Sequence, residues 1–298
     1  MGDDLFQWES PSRGITIPKL GQIPRHSSKI HSIKRTKSKI IFNTTYTNDN
    51  HGRRLSLINP SAKQSSSVLL AGCSFVYGDG IPDHETLHHY FNLEGSSLFA
   101  INYGVSGGSI NNTLARLTLQ EDFSSQLPLP PRHLVYIYIP THISRIAGTW
   151  PSTWTLENPF FKKNKKDEMI FAGSISDNMS WIRKKALEQA KHLPDSISQD
   201  RYIPRVTSYE KNYFCDLVKA TEASWKKLSP AGSFIFMYHP LVEPEPWLDE
   251  CLGKRGINSV RLDIDGDRST FQIPGDRHPT GALNQLFAKK LVEYFNKL

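Results

Sequence analysis

Ser74, Asp276 and His278 are a hydroxyl, a carboxylate and an imidazole, each placed where a regular run of the chain stops. The apolar run Ser67-Val68-Leu69-Leu70-Ala71 ends at Gly72-Cys73-Ser74 and continues as Phe75-Val76-Tyr77-Gly78-Asp79-Gly80. Two hundred residues later, Ile273-Pro274-Gly275-Asp276-Arg277-His278-Pro279 leads into an amphipathic segment. A serine at the mouth of a buried strand becomes a nucleophile when an imidazole takes its proton, and the imidazole needs a carboxylate to fix its tautomer. Taken singly, each residue has a plainer reading: Ser74 as a helix N-cap, Asp276 as a turn residue, His278 as a surface histidine. Taken together they have the types and order of an acyl-transfer site.

Such a site must sit on strand ends, and the chain supplies them. Short apolar runs at 68–72, 98–102, 134–139, 234–238 and 259–262 read as strands buried on both faces. Between them, residues 209–228 carry Phe214, Leu217, Val218, Thr221, Trp225 and Leu228 at helical spacing, and 280–298 repeat the pattern. Strands alternating with helices predict a five-stranded parallel sheet in a three-layer α/β/α sandwich. Ligands bind such sheets at the carboxyl ends of the strands. Beside Ser74, these ends carry the glycine turn Asn102–Ser109, the segment Pro140-Thr141-His142-Ile143-Ser144-Arg145, and His239-Pro240, which reads as a strand cap.

These blocks resemble the SGNH (GDSL-like) hydrolase superfamily over residues 66–298. Gly72-Cys73-Ser74 stands where the family has Gly-Asp-Ser, with cysteine in place of aspartate. Gly107 falls at the family's oxyanion glycine, and His142 where an asparagine is usual. Asp276-Arg277-His278-Pro279 is similar to a sub-branch ending in Asp-x-His-Pro. The resemblance implies a flavodoxin-like SGNH fold, a serine esterase acting on a small acyl ester (O-acetyl on carbohydrate among them), and no cofactor. It implies Ser74, His278 and Asp276 as nucleophile, base and orienter, with Gly107 and His142 stabilising the oxyanion. Arg145 is a candidate for an anionic substrate group, with a structural salt bridge as its plainer role. An acyltransferase on the same site, and an inactive binding module of the same fold, are the alternatives.

The remaining features bound the reading. At 298 residues with 38% hydrophobic and 22% charged residues, the chain has the composition of a soluble globular protein. The net charge of +7 originates between residues 11 and 54, where ten lysines and arginines face the single acid Asp49. Residues 1–65 therefore read as a basic N-terminal extension, partly irregular, with one short strand at 39–46. It is able to meet an anionic surface, but it lacks the aromatic series or reader motif of a nucleic-acid binder. Residues 148–205, with Trp150, Trp154, Phe160, Phe161 and Trp181, read as an aromatic insertion that either shapes a pocket or packs onto the domain. Cys73, Cys215 and Cys251 are too few and scattered for a disulfide framework or zinc site, which favours a reducing compartment. The acidic Met1-Gly2-Asp3-Asp4 start lacks the pattern of a secretory signal, so a cytoplasmic location is expected unless a leader has been removed. His84, His88 and His89 lack a third partner of metal-ligand spacing, and no metal is expected.

Overall fold

The computed structural model of the chain describes residues 7–9, 14–146, 148, 155–180 and 207–298. Its first elements are strands: β1 (Gln7–Glu9), β2 (Gly14–Ile17), β3 (Gly21–Pro24), β4 (Lys29–Arg35) and β5 (Ile40–Thr47). β1, β4 and β5 form an antiparallel sheet in the order β1-β4-β5, and β2 pairs with β3 as a hairpin. The sequence suggested one strand in this segment. The others escaped because their inward faces are mixed. On β4 the period of two brings Ile30, Ser32 and Lys34 to one side, opposite Tyr46, Thr44 and Phe42 of β5. A serine and a lysine on an inward face erase the apolar alternation that announces a strand.

The main sheet is built from β6 (Ser66–Gly72), β7 (Leu98–Gly104), β8 (Pro131–Tyr138), β11 (Ser233–Tyr238) and β12 (Ser259–Val260), the five runs read from the sequence. They are parallel, in the order β12-β11-β8-β6-β7. Alternate residues divide the core into two layers. Leu69, Leu134, Tyr136, Phe236 and Tyr238 pack on one face with α3 (Ile110–Leu119) and α5 (Ser208–Leu228). Val68, Leu70, Val135, Ile137 and Met237 pack on the other with α2 (Leu87–Leu93) and α7 (Gly281–Phe295). A three-layer α/β/α sandwich results, with β6, held between β8 and β7, running directly into the short helix α1 (Ser74–Tyr77).

The start of α5 is fixed by a capping box: Thr207 accepts from the Glu210 amide and Glu210 returns a bond to the Thr207 amide. The described part of the insertion is a hairpin, β9 (Pro159–Lys163) with β10 (Met169–Ser174). Its aromatics pack it onto the domain. Phe161 is buried, and its amide and carbonyl both bond the Tyr213 hydroxyl on α5. Trp150, Trp154 and Trp181 lie outside the described residues.

One expectation about the cysteines is corrected. Cys215 on α5 and Cys251 on α6 (Pro246–Gly253) form a disulfide, their Cα atoms 6.4 Å apart. A separation of 36 residues hid the pairing in sequence, and packing of α5 on α6 creates it. Cys73 is free and buried. No described helix is long and apolar enough to cross a membrane.

Candidate active site

The buried strand β6 ends at Gly72, Cys73 caps α1, and Ser74 is the first helical residue. Ser74 is therefore not the cap. Its carbonyl accepts from the amides of Gly78 and Asp79, which folds the chain back and holds the serine at the edge of the sheet. The turn that follows passes very close to β7. A Cβ on Gly104 would lie 2.3 Å from the Tyr77 nitrogen, so only glycine lets β7 and α1 approach this far.

The base and the carboxylate come from a closed loop ahead of α7. The Ile273 amide bonds the His278 carbonyl, and the amides of Asp276 and Arg277 both bond the Ile273 carbonyl. Arg277 takes a left-handed conformation, φ 69°, which turns the chain between Asp276 and His278. The strain is of order 1 kcal/mol for a residue other than glycine. In return, two side chains only two positions apart meet: His278 Nδ1 lies 2.5 Å from Asp276 Oδ2. The opposite edge of the same ring meets the serine, with His278 Nε2 2.9 Å from Ser74 Oγ. Phe75 packs against the imidazole, ring centroids 5.2 Å apart, and separates it from His239. The sequence placed Ser74, Asp276 and His278 in one site, and the structure brings these three side chains together.

The second oxygen of Asp276 bonds the ammonium of Lys34, which β4 carries in from the N-terminal sheet. The Asp276 side chain is completely buried, so desolvation alone would raise its pKa. The hydrogen bonds and charges of His278 and Lys34 outweigh that burial and hold the carboxyl at about 2. The sequence reading missed Lys34. Its signal lay in the alternation of Ile30, Ser32 and Lys34, which puts the lysine on the buried face.

The N-terminal region also fixes the turn after the serine. Arg54, 2% exposed, donates to the carbonyls of Tyr77, Gly78 and Ile81 and pairs with Asp83. The Tyr46 hydroxyl accepts from the Gly80 amide. Arg53 pairs with Asp49, and Arg35 with Glu9. Four of the cations that made this segment basic are thus engaged within the molecule.

Gly107 lies in the glycine turn after β7, in a left-handed conformation (φ 74°). Its neighbours are tied down: Ser106 Oγ donates to both oxygens of Asp79 at 2.9 Å, and Arg145 Nη1 donates to the Gly108 carbonyl at 2.9 Å. Among the described residues, neither the Ser74 nor the Gly107 amide has a recorded backbone acceptor.

Two candidate site residues are corrected. His142, expected as an oxyanion donor, is wholly buried, with Nδ1 2.6 Å from the Tyr136 hydroxyl. The helix α4 (Thr141–Ile146) begins directly after β8 and turns this imidazole inward, against Tyr136 and Tyr138. Burial first, then the charges of Arg145 and His239, push its pKa well below the usual range, so the ring is neutral. An oxyanion donor has to be reachable by substrate, and this ring is not. Arg145, a candidate for an anionic substrate group with a structural role as its plainer reading, is 8% exposed and supports the glycine turn through Gly108, a structural role rather than a substrate contact. His239 caps its strand as read, accepting from the Leu241 amide, and burial pushes its pKa down to about 3. His88 is a core residue, Nε2 on the Leu55 carbonyl, also lowered to about 3 by burial.

No protein-family model and no curated protein matches this chain. Similar solved structures include an acetyl xylan esterase (Est2A) from the rumen bacterium Butyrivibrio proteoclasticus, at 11% identity and TM-score 0.46, covering 80% of this chain and 64% of that one. A family two carbohydrate esterase from Clostridium thermocellum, in complex with cellohexaose, is similar at 14% identity and TM-score 0.44, covering 83% and 67%. A member of the lipolytic protein G-D-S-L family from Veillonella parvula is similar at 11% identity and TM-score 0.40, covering 78% and 100%. At such identities and scores, the functional argument rests on the site's own geometry.

Proposed function

We propose that the protein is a serine hydrolase of SGNH type that cleaves a small acyl ester through an acyl-enzyme on Ser74. The observation that carries this is the unbroken chain of contacts from Ser74 Oγ to His278 Nε2 and from His278 Nδ1 to Asp276 Oδ2. His278 takes the Ser74 proton as Oγ attacks the ester carbonyl, then gives that proton to the departing alcohol. A water enters, His278 takes its proton as the water oxygen attacks the acyl carbon, and His278 returns that proton to Ser74 Oγ as the acyl–Oγ bond breaks and the acid leaves. Asp276 keeps Nδ1 protonated so that Nε2 faces the serine. The amides of Ser74 and Gly107 stabilise the tetrahedral oxyanion in each half-reaction.

A short acyl group is what the resemblance of the serine and Asp-x-His-Pro blocks implies. O-acetylated carbohydrate is the substrate class we assign, on the resemblance of the serine and Asp-x-His-Pro blocks. Release of acetate from acetylated xylan and from an aryl acetate tests this, with Ser74→Ala as control. Turnover of both by the wild type and of neither by the variant is expected. Equal turnover by the two proteins would dismiss the reading.

A further inference from the structure

We propose that Lys34 is a positioning residue of this site, its ammonium holding the Asp276 carboxylate in place and moderating the basicity that carboxylate confers on His278. The proposal rests on the serine-hydrolase reading above.

The two oxygens of Asp276 have different partners: Oδ2 meets His278 Nδ1, and Oδ1 meets Lys34 Nζ. The lysine comes from 242 residues away in sequence, so only docking of the N-terminal sheet supplies it. That docking is firm. Ile30 and Tyr46 cluster with Tyr77 in the core, Phe42 contacts the Gly80 turn beside Ile273, and Ile41 contacts Gly275 in the Asp276 loop.

Geometry explains what the lysine adds. With His278 neutral, Asp276 would otherwise be a buried anion facing no cation, an arrangement that is unfavourable in a protein interior. Lys34, only 11% exposed, makes the resting group of Lys34, Asp276 and His278 neutral overall. Protonating His278 then adds a charge to a neutral group rather than cancelling a buried negative one. The lysine therefore offsets part of the attraction that the Asp276 charge exerts on a proton at His278. A single contact on each oxygen also fixes the rotation of the carboxylate, which sets the direction of Nδ1–H.

Among the described residues, the other titratable groups around the pair are few. His239, after β11, faces His278 across Phe75 and is kept neutral by burial. Arg277, between the two site residues, is exposed. Glu85 lies beside Gly281 at the start of α7, and Arg35, next to Lys34, pairs with Glu9.

The test compares Lys34→Met, Lys34→Gln and Lys34→Arg in the full chain. Nuclear magnetic resonance follows the His278 ring through its titration, with assignment by His278→Gln, and near-UV circular dichroism confirms folding. The expected result is a titration midpoint higher by about one pH unit, tenfold in protonation constant, in the methionine and glutamine variants. Lys34→Arg returns it to within a few tenths. The acid limb of kcat/KM for an aryl acetate moves by the same amount. Unchanged midpoints in folded Lys34→Met or Lys34→Gln would overturn the proposal. So would failure of both neutral variants to fold while Lys34→Arg folds, since Lys34 would then be only a brace. A wild-type protein without ester turnover would sink the hydrolase reading alone, because the midpoint is measured without substrate.

Discussion

His278 Nε2 stands 2.9 Å from Ser74 Oγ, although 204 residues separate them in the chain. Nothing local holds the two together. The contact follows from a parallel sheet whose interior strand β6 delivers the serine, and from a final loop whose hydrogen bonds turn the imidazole back over it. If that contact is catalytic, Ser74→Ala lowers turnover of an aryl acetate by at least about 10³-fold. The hydroxyl fills little of the core, so thermal unfolding should stay within a few degrees of wild type.

Asp276→Asn should cost on the order of 10³ to 10⁴ in kcat, through the wrong imidazole tautomer. It should also change how stability depends on pH. The folded carboxyl titrates near 2, below its ordinary value of 3.8, so its contribution to stability is present above about pH 4 and is lost as pH falls toward 2. That contribution is roughly 2 kcal/mol. Urea unfolding of wild type and Asp276→Asn between pH 2 and 7 checks it: the gap in stability should close at the acid end.

His142→Ala separates a core role from an oxyanion role. The imidazole is wholly buried beside Tyr136 and Tyr138, so its loss leaves a cavity and removes a partner from the Tyr136 hydroxyl. Destabilisation of about 2–4 kcal/mol is expected, measured by urea unfolding. In the folded fraction, kcat on an aryl acetate should remain within a few-fold of wild type. A drop of 10² or more in kcat with stability unchanged would restore the histidine to the oxyanion hole.

Gly104→Ala tests the close approach of β7 and α1. The added methyl would stand 2.3 Å from a backbone nitrogen, which cannot rotate away. The expected cost is about 3 kcal/mol or more, visible as a lowered Tm. Wild-type stability would mean that the two elements separate more easily than their packing implies.

Sequence reading reached the parts of this molecule that repeat. Four sheet strands, β6, β7, β8 and β11, are largely apolar, and α5 and α7 carry a clean helical stripe, so hydrophobic period located them; the run at 259–262 yields only the half-buried edge strand Ser259–Val260. Ser74 was legible because it sits where a strand ends, and Asp276 and His278 because they stand just ahead of the last helix. The N-terminal sheet was not. Its inward positions include Ser32 and Lys34, and its positive charge suggested solvent where the structure places Lys34 and Arg54 indoors. His142 misled for a related reason. Position at a strand end says which residue is near the mouth, but the immediate start of α4 decides which way its side chain turns.

The central claim is that Ser74 is a nucleophile activated in place. Treating the full-length protein with a fluorophosphonate probe and mapping the adduct by peptide mass spectrometry tests it most directly. The account predicts one stoichiometric adduct on Ser74, absent from Ser74→Ala and formed far more slowly in His278→Gln. An unlabelled wild-type protein, or an adduct on a different serine that survives Ser74→Ala, would contradict it.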